Sequence, residues 1–167
     1  MKILMVIAPE GFRDEEYFEP KEVFEANDFE VITASKKTGT CIGKLGGKAA
    51  SNVLVSDADP AEYDAVVFVG GPGMARYLED SDYTGLAKKF FEADKLTTAI
   101  CISPSVLANA GILSGKKATA FPSEEGNLKS KGADWTGQAV TKDGKVITAN
   151  GPDAAKEFAE EIVNALG

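Results

Sequence analysis

The stretch from Thr97 to Gly111 constrains the fold most, because it joins an apolar, β-branched run to a helical pattern through a very short turn. Thr97–Ile100 has the composition of a buried strand, and Cys101 follows it directly. Ser103 is a candidate N-cap, and Pro104 suits the first helical position, where no N–H is needed. The pattern predicts a strand, a sharp turn and a helix, with Cys101 at the elbow.

An elbow cysteine has two interpretations. The side chain of Cys101 would point out at the carboxyl end of a sheet, next to backbone N–H groups at the positive end of a helix dipole. Those surroundings predict a lowered thiol pKa and a nucleophilic thiolate. The alternative is a packing role, because cysteine is among the most buried residue types. Strand-to-helix elbows repeatedly carry nucleophiles, so both interpretations stay open on position alone.

The rest of the chain alternates between runs typical of strands and runs with the 3.6-residue period of helices, which is the pattern of an α/β protein. Pro20 interrupts the first helical pattern and predicts a kink or a late start. The glycine-rich segment Thr38–Ser56 predicts a small antiparallel β-arm. We expect one domain over residues 1–167, a three-layer α/β sandwich with a mostly parallel sheet. The predicted strands are Lys2–Ala8, Phe29–Ala34, Tyr63–Val69, Lys117–Ala120, Val140–Thr141 and Lys145–Thr148; the predicted helices are Glu15–Asn27, Tyr83–Ala93 and Ala154–Leu166.

Net charge and cysteine content indicate which binding partners and which cellular compartment to expect. The net charge of −8 argues against nucleic acid or an anionic membrane as a partner, since both require clustered Lys and Arg. No apolar run approaches the length of a transmembrane helix, and Pro9–Gly11 interrupts the N-terminal run before a signal sequence could form. Two cysteines make no disulfide framework, so we expect a cytoplasmic protein. Cys41 is more simply a structural or surface thiol than a disulfide partner of Cys101.

The chain contains no histidine. A Cys-His or Ser-His dyad is therefore impossible, and a second copy of the same chain could not supply the imidazole. Two separate cysteines cannot complete a zinc site either, so no metal is expected.

A second glycine-rich turn, Gly70–Gly73, follows the predicted strand Tyr63–Val69. Glycines at this point allow a tight turn and can direct N–H groups into the crevice at the sheet edge. The sequence is an incomplete G-x-G-x-x-G pattern interrupted by Pro72, so a plain turn or an anion hole is favoured over a cofactor loop. No cofactor is expected.

Taken together, these motifs resemble the DJ-1/PfpI superfamily, which includes PfpI-type intracellular proteases and the parkinsonism-associated deglycase. The resemblance covers essentially the whole length and implies a flavodoxin-like scaffold with a nucleophile elbow. It is carried by Lys2–Ala8 followed by Phe12–Glu16, by Val69–Gly73, by Ala99–Cys101 with Ala110–Lys117, and by Gly151-Pro152.

The resemblance assigns roles to particular residues. It implies that Cys101 is the nucleophile and that Glu16 is the carboxyl hydrogen-bonded to it, with Glu15 as the neighbouring alternative. It also places Gly71 and the N–H of Ile102 in an oxyanion pocket. Without the resemblance, Glu16 would be one of several solvated acids at a helix start. The expected pocket residues are Gly70, Pro72, Ser103 and Phe121.

The chain departs from the family pattern at positions where other branches of the family have a catalytic histidine. Ile102 and Ser103 stand where the protease branch has a histidine and a glycine, and Phe121 stands where a further branch has a histidine. Peptidase activity by the Cys-His route is therefore not expected.

The motifs leave several functions open. We expect a stress-related, cysteine-dependent enzyme acting on small electrophiles, glyoxalase-like, deglycase-like or hydratase-like, with a small-molecule substrate. The alternatives are a redox-sensing or chaperone-like stress protein that uses an oxidisable Cys101, an inactive homologue of the PfpI-type peptidases, and a binding module that retains the fold. The resemblance also implies a homo-oligomer, a dimer or higher.

Overall fold

The computed structural model describes residues 1–167. Its twelve strands are β1 (Lys2–Val6), β2 (Glu10–Phe12), β3 (Glu30–Ser35), β4 (Gly39–Gly43), β5 (Lys48–Ser51), β6 (Val53–Leu54), β7 (Ala65–Phe68), β8 (Leu96–Ile100), β9 (Lys117–Ala118), β10 (Asp134–Trp135), β11 (Val140–Asp143) and β12 (Val146–Ala149). Its five α-helices are α1 (Asp14–Ala26), α2 (Ser81–Glu92), α3 (Pro104–Asn109), α4 (Glu125–Ser130) and α5 (Ala155–Leu166).

Seven strands form the central sheet, in the order β11-β12-β8-β7-β1-β3-β6. All neighbouring pairs are parallel except β11 with β12, which form an antiparallel hairpin with its turn at Gly144-Lys145. The strands β1, β7 and β8 lie side by side at the centre, so their carboxyl ends meet at one edge. In doubly wound folds this edge is where ligands bind.

The central sheet is covered on both faces, which gives the three layers. Helices α1 and α5 contact each other on one face, and α2 and α3 contact each other on the other. Along β1, Ile3 and Met5 belong to the core between the sheet and helices α1 and α5, whereas Leu4 and Val6 belong to the core between the sheet and helices α2 and α3. This alternation is what a strand buried on both faces requires, and it confirms the predicted α/β/α sandwich.

The segment between β3 and β7 forms the predicted β-arm. Strands β4 and β5 pair antiparallel, and β2 adds to β4 in parallel to make a separate three-stranded sheet. The turn between β4 and β5 is attached to the first turn of α1, because both carboxylate oxygens of Asp14 accept N–H bonds from it. Leu45 N and Gly47 N each lie 2.8 Å from the Asp14 carboxylate. The arm is therefore fixed to the helix that carries Glu16.

Several predicted elements differ from the structure. The first helix does not start late: α1 begins at Asp14 and continues through Pro20, whose ring nitrogen cannot donate to the carbonyl of Glu16. The strand predicted at Lys117–Ala120 is only Lys117–Ala118, and it pairs with β10 outside the central sheet. Neither β2 nor α4 was predicted, because short elements carry too few residues for a period to be visible.

Substituting Gly73 tests the close approach between β2 and the turn after β7. A Cβ at Gly73 would lie 1.7 Å from the carbonyl oxygen of Glu10, a backbone atom that cannot rotate away. We expect Gly73→Ala to lower the free energy of unfolding by about 1–3 kcal/mol. The matched control is Gly85→Ala within α2, where a Cβ meets nothing within 4 Å. It should be neutral or stabilising by about 0.5–1 kcal/mol. Urea unfolding measures both, and equal stabilities would contradict the packing described.

Candidate active site

Cys101 lies at a sharp turn between β8 and α3, in a backbone conformation unusual for its type. Its φ is +65°, in the left-handed region that non-glycine residues seldom occupy. Hydrogen bonds on both sides hold it there: Cys101 N donates to the Ala149 carbonyl at 2.9 Å, and Phe121 N donates to the Cys101 carbonyl at 2.7 Å. A strained residue fixed in this way is typical of a functional site, and the predicted elbow is confirmed in the fold.

Glu16 lies in the first turn of α1 with its side chain fully buried (0% exposed) against this elbow. Its Oε1 accepts a hydrogen bond of 3.1 Å from Gly70 N, and its carboxyl interacts with the Cys101 thiol. Glu16 Oε2 has no conventional hydrogen-bond partner. A buried carboxylate oxygen without a hydrogen-bond partner is rare, because its negative charge is then poorly stabilised. Glu16 Oε2 is therefore suited to hold a proton.

Gly70 makes the approach of these two side chains possible. A Cβ on Gly70 would lie 2.6 Å from both the Cβ of Cys101 and Oε1 of Glu16. Any side chain here would therefore separate the carboxyl from the thiol. Glu15, the alternative partner, points elsewhere: it pairs with Arg13, whose Nε lies 2.5 Å from a Glu15 oxygen. The structure thus brings Glu16, and not Glu15, to the thiol.

Burial dominates the protonation of both groups. It raises the pKa of the Glu16 carboxyl from 4.5 to about 7, against the opposing effects of the thiol and of the Gly70 N–H. It also raises the pKa of the Cys101 thiol from 9.0 to about 12, and the neighbouring Glu16 charge adds to that rise. The expectation of a lowered thiol pKa is therefore wrong. Cys101 is only 8% exposed, and the six-residue helix α3 begins beyond the elbow, at Pro104.

Two backbone N–H groups oppose this rise. Those of Gly71 and Ile102 interact with the Cys101 sulfur and favour its anionic form. Gly71 has a φ of +110°, and a Cβ there would lie 2.3 Å from Arg13 N. Both donors therefore face the sulfur, and their role as an oxyanion pocket stays a prediction.

The thiol opens into a cavity of about 250 Å³. Pro72 and Phe121 line it, whereas Gly70 lies beneath, against Cys101 and Glu16. The expectation that Ser103 lines the pocket does not hold, because its buried hydroxyl donates to the Val69 carbonyl at 2.7 Å. The cavity is lined by Arg13, Lys44, Gly71, Pro72, Cys101, Ile102, Phe121, Ser123 and Pro152.

Arg13, Lys44, Ser123 and Pro152 were not predicted as pocket residues. Arg13 and Pro152 lie in motifs that carried the resemblance, so the sequence contained a signal for those two. Lys44 lies on a turn and Ser123 in the short 3-10 helix Pro122–Glu124; the positions of both depend on tertiary contacts, and their local sequence gave no signal.

Neither cysteine forms a disulfide, and Cys41 is buried in the arm with its thiol pKa raised by burial. No group of three or more Cys, Asp and Glu side chains is placed to hold a metal ion. No helix combines the length and apolarity needed to cross a membrane.

The fold and the site define a class: an α/β/α protein with a cysteine at a strand-to-helix elbow and a buried carboxyl beside it. The family model described as DJ-1/PfpI family matches residues 1–165. The chain belongs to the DJ-1/PfpI family.

Relatives with sequence similarity include both uncharacterised and named proteins. The chain is 46% identical to an uncharacterised protein of Methanocaldococcus jannaschii, over 99% of this chain and 82% of that protein. It is 32% identical to a deglycase of Thermococcus kodakarensis, over 99% of each.

Solved structures show the same fold. A ThiJ/PfpI domain protein from Brachyspira murdochii superposes with a TM-score of 0.97 at 38% identity, covering 99% of this chain and 95% of that one. DJ-1beta of Drosophila melanogaster superposes with a TM-score of 0.89 at 28% identity, covering 99% and 89%.

The raised pKa of Glu16 predicts a specific dependence of stability on pH. A carboxyl with a higher pKa in the folded protein than in the unfolded chain binds its proton more tightly when folded, so stability falls as that proton is lost. Relative to Glu16→Gln, wild-type protein should lose up to about 3 kcal/mol of unfolding free energy as pH rises from 4.5 to about 7. Denaturant unfolding at several pH values measures the difference. A difference independent of pH would show that Glu16 ionises as it does in the unfolded chain.

Proposed function

We propose that this protein is a cysteine-dependent enzyme that acts on small carbonyl electrophiles. The observation that carries the proposal is the buried Glu16–Cys101 pair, with the N–H groups of Gly71 and Ile102 beside the sulfur, at the floor of a small cavity. This arrangement combines a nucleophile, a proton acceptor and donors for a developing oxyanion. A cavity of about 250 Å³ suits a small substrate better than a peptide.

The named relatives support the same chemistry. Three archaeal proteins named as deglycases are 28–32% identical to this chain over nearly its full length. We propose that the chain shares with them a reaction in which the thiol adds to a carbonyl carbon.

Glu16 is the base in the proposed reaction. Its carboxylate takes the proton from the Cys101 thiol while the sulfur forms a bond to the carbonyl carbon. The carbonyl π electrons move to the oxygen, which accepts hydrogen bonds from the N–H groups of Gly71 and Ile102. The oxyanion then takes a proton from water in the cavity, giving a neutral hemithioacetal, while Glu16, which does not line the cavity, keeps the thiol proton until the adduct breaks down. Because the proton moves during attack, a thiol with a raised pKa can still act as the nucleophile.

The pKa of Glu16 suits this role. A base works best when its pKa is close to the working pH, and burial raises the Glu16 pKa to about 7. The chain contains no histidine that could serve instead.

Activity should therefore depend on the ionisation of Glu16. We expect kcat/KM for methylglyoxal to rise with pH and level off above about 7, the pKa of Glu16. Glu16→Gln should lower kcat/KM by about a hundredfold or more and remove this rise. A wild-type profile that is flat from pH 5 to 9, or a variant that keeps the wild-type profile, would contradict the assignment of the base.

A thiol variant tests the nucleophile itself. Cys101→Ser should consume methylglyoxal no faster than buffer, whereas the matched control Cys41→Ser should retain wild-type activity because Cys41 lies in the arm, outside the cavity. Turnover that survives in Cys101→Ser would exclude the proposed nucleophile. Wild-type protein that consumes no dicarbonyl but gains two oxygens on Cys101 under peroxide would instead favour the redox-sensing alternative.

Self-association stays a prediction. Phe18, Ile42 and Leu45 are exposed apolar residues around the β-arm, and Leu45 is 62% exposed. They provide an apolar surface that a second copy could cover.

A further inference from the structure

We infer that the cavity above Cys101 selects anionic electrophiles, such as carbonyl compounds that carry a carboxylate, through Lys44 and Arg13. The inference rests on the proposed function and adds a substrate class to it. It is carried by the charge of the cavity wall and by the way the fold fixes Lys44.

The cavity wall has the opposite charge to the protein. The chain has 26 acidic and 18 basic residues and a net charge of −8. The residues that line the cavity nevertheless include Arg13 and Lys44 but no aspartate or glutamate. A cavity with cations on its wall raises the local concentration of anions. Because the rest of the protein is acidic, we expect anions to prefer this cavity to the remaining surface.

Arg13 is oriented by Glu15 and keeps a free donor. Glu15 accepts from Arg13 Nε at 2.5 Å and from Nη2 at 3.5 Å, whereas Nη1 has no protein partner. The ion pair offsets much of the Arg13 charge but fixes its side chain at the cavity wall. Lys44, in contrast, has no carboxylate within 4.0 Å, so its ammonium group is not paired.

The backbone of Lys44 is fixed by the segment that carries Arg13. Lys44 N donates to the Phe12 carbonyl at 2.8 Å, and the next residues of the turn donate to Asp14. Cβ atoms at Gly43 and Gly47 would each lie 2.5 Å from Asp14 Oδ1, so the turn fits closely around this carboxylate. Asp14 is thus a positioning residue for Lys44.

The Glu16 carboxyl is fully buried beneath the thiol and does not line the cavity, but its charge acts on Arg13, so the preference for anions depends mainly on Lys44. A substrate carboxylate next to the carbonyl would lie toward Lys44 and the free Nη1 of Arg13. The sulfur would attack the carbonyl carbon, the thiol proton would go to Glu16, and the substrate carboxylate would leave the step unchanged.

Two alkylating reagents of nearly the same size test the inference without needing turnover. Iodoacetate is anionic and iodoacetamide is neutral, and each forms an Sγ–carbon bond with loss of iodide while the thiol proton is lost. The rate of each at Cys101 is measured by peptide mass spectrometry, with the uncharged N-acetylcysteine amide as the unselective thiol. We expect the ratio of the iodoacetate rate to the iodoacetamide rate at Cys101 to exceed that of N-acetylcysteine amide by about fivefold or more at low salt.

The variant Lys44→Gln should bring this ratio most of the way back to that of N-acetylcysteine amide, and the ratio cancels any change in thiol reactivity that affects both reagents equally. The matched control is Lys48→Gln, an exposed lysine of the same arm that does not line the cavity, and it should keep the wild-type ratio. Raising the salt concentration should lower the wild-type ratio, because screening weakens exposed charge interactions.

The outcomes separate the inference from the function on which it rests. If Cys101 reacts readily with iodoacetamide but shows the ratio of the free thiol, or if Lys48→Gln changes the ratio as much as Lys44→Gln, anion selection is wrong while the proposed nucleophile survives. If Cys101 reacts with neither reagent in the folded protein, the proposed function and the inference both fail.

Discussion

The contact between the Glu16 carboxyl and the Cys101 thiol is the interaction on which the rest of the site depends. Both groups are removed from water, and burial disfavours the charged form of each, so ionising both together is strongly unfavourable. At neutral pH the pair therefore carries at most one negative charge, on the carboxylate or on the sulfur. Moving the proton between them changes where that charge lies without exposing either group. This allows a thiol with a raised pKa to act as a nucleophile.

The fold maintains this contact by holding Cys101 in an unfavourable backbone conformation. Cys101 occupies a left-handed conformation held by the Ala149 carbonyl and the Phe121 N–H, and Gly70 leaves room for the carboxyl. The helix that supplies Glu16 also holds the β-arm through Asp14. Nucleophile, proton acceptor and cavity wall therefore come from different parts of the chain that meet at the carboxyl edge of the sheet.

The sequence predicted the parts of this arrangement that local pattern or motif encodes. The long apolar runs predicted the central strands, and the β-branched run before Cys101 predicted the elbow. The family resemblance identified Glu16, which its own acidic surroundings did not distinguish from Glu15. The thiol pKa was predicted in the wrong direction because burial outweighs the N-terminus of a short helix. Ser103 was misplaced because its hydroxyl is used to satisfy a buried carbonyl, and Lys44 was missed because only the contact of its turn with Asp14 brings it to the cavity.

The measurement that tests this account most directly is an NMR titration of isotope-labelled glutamate carboxyls, comparing wild-type protein with Glu16→Gln. One carboxyl resonance should titrate at about pH 7 in the wild type and be absent from the variant, as expected for a buried carboxyl that can take the thiol proton. If every glutamate titrates near its ordinary pKa, or if the resonance that titrates near neutral pH persists in the variant, Glu16 is not the base and the account fails.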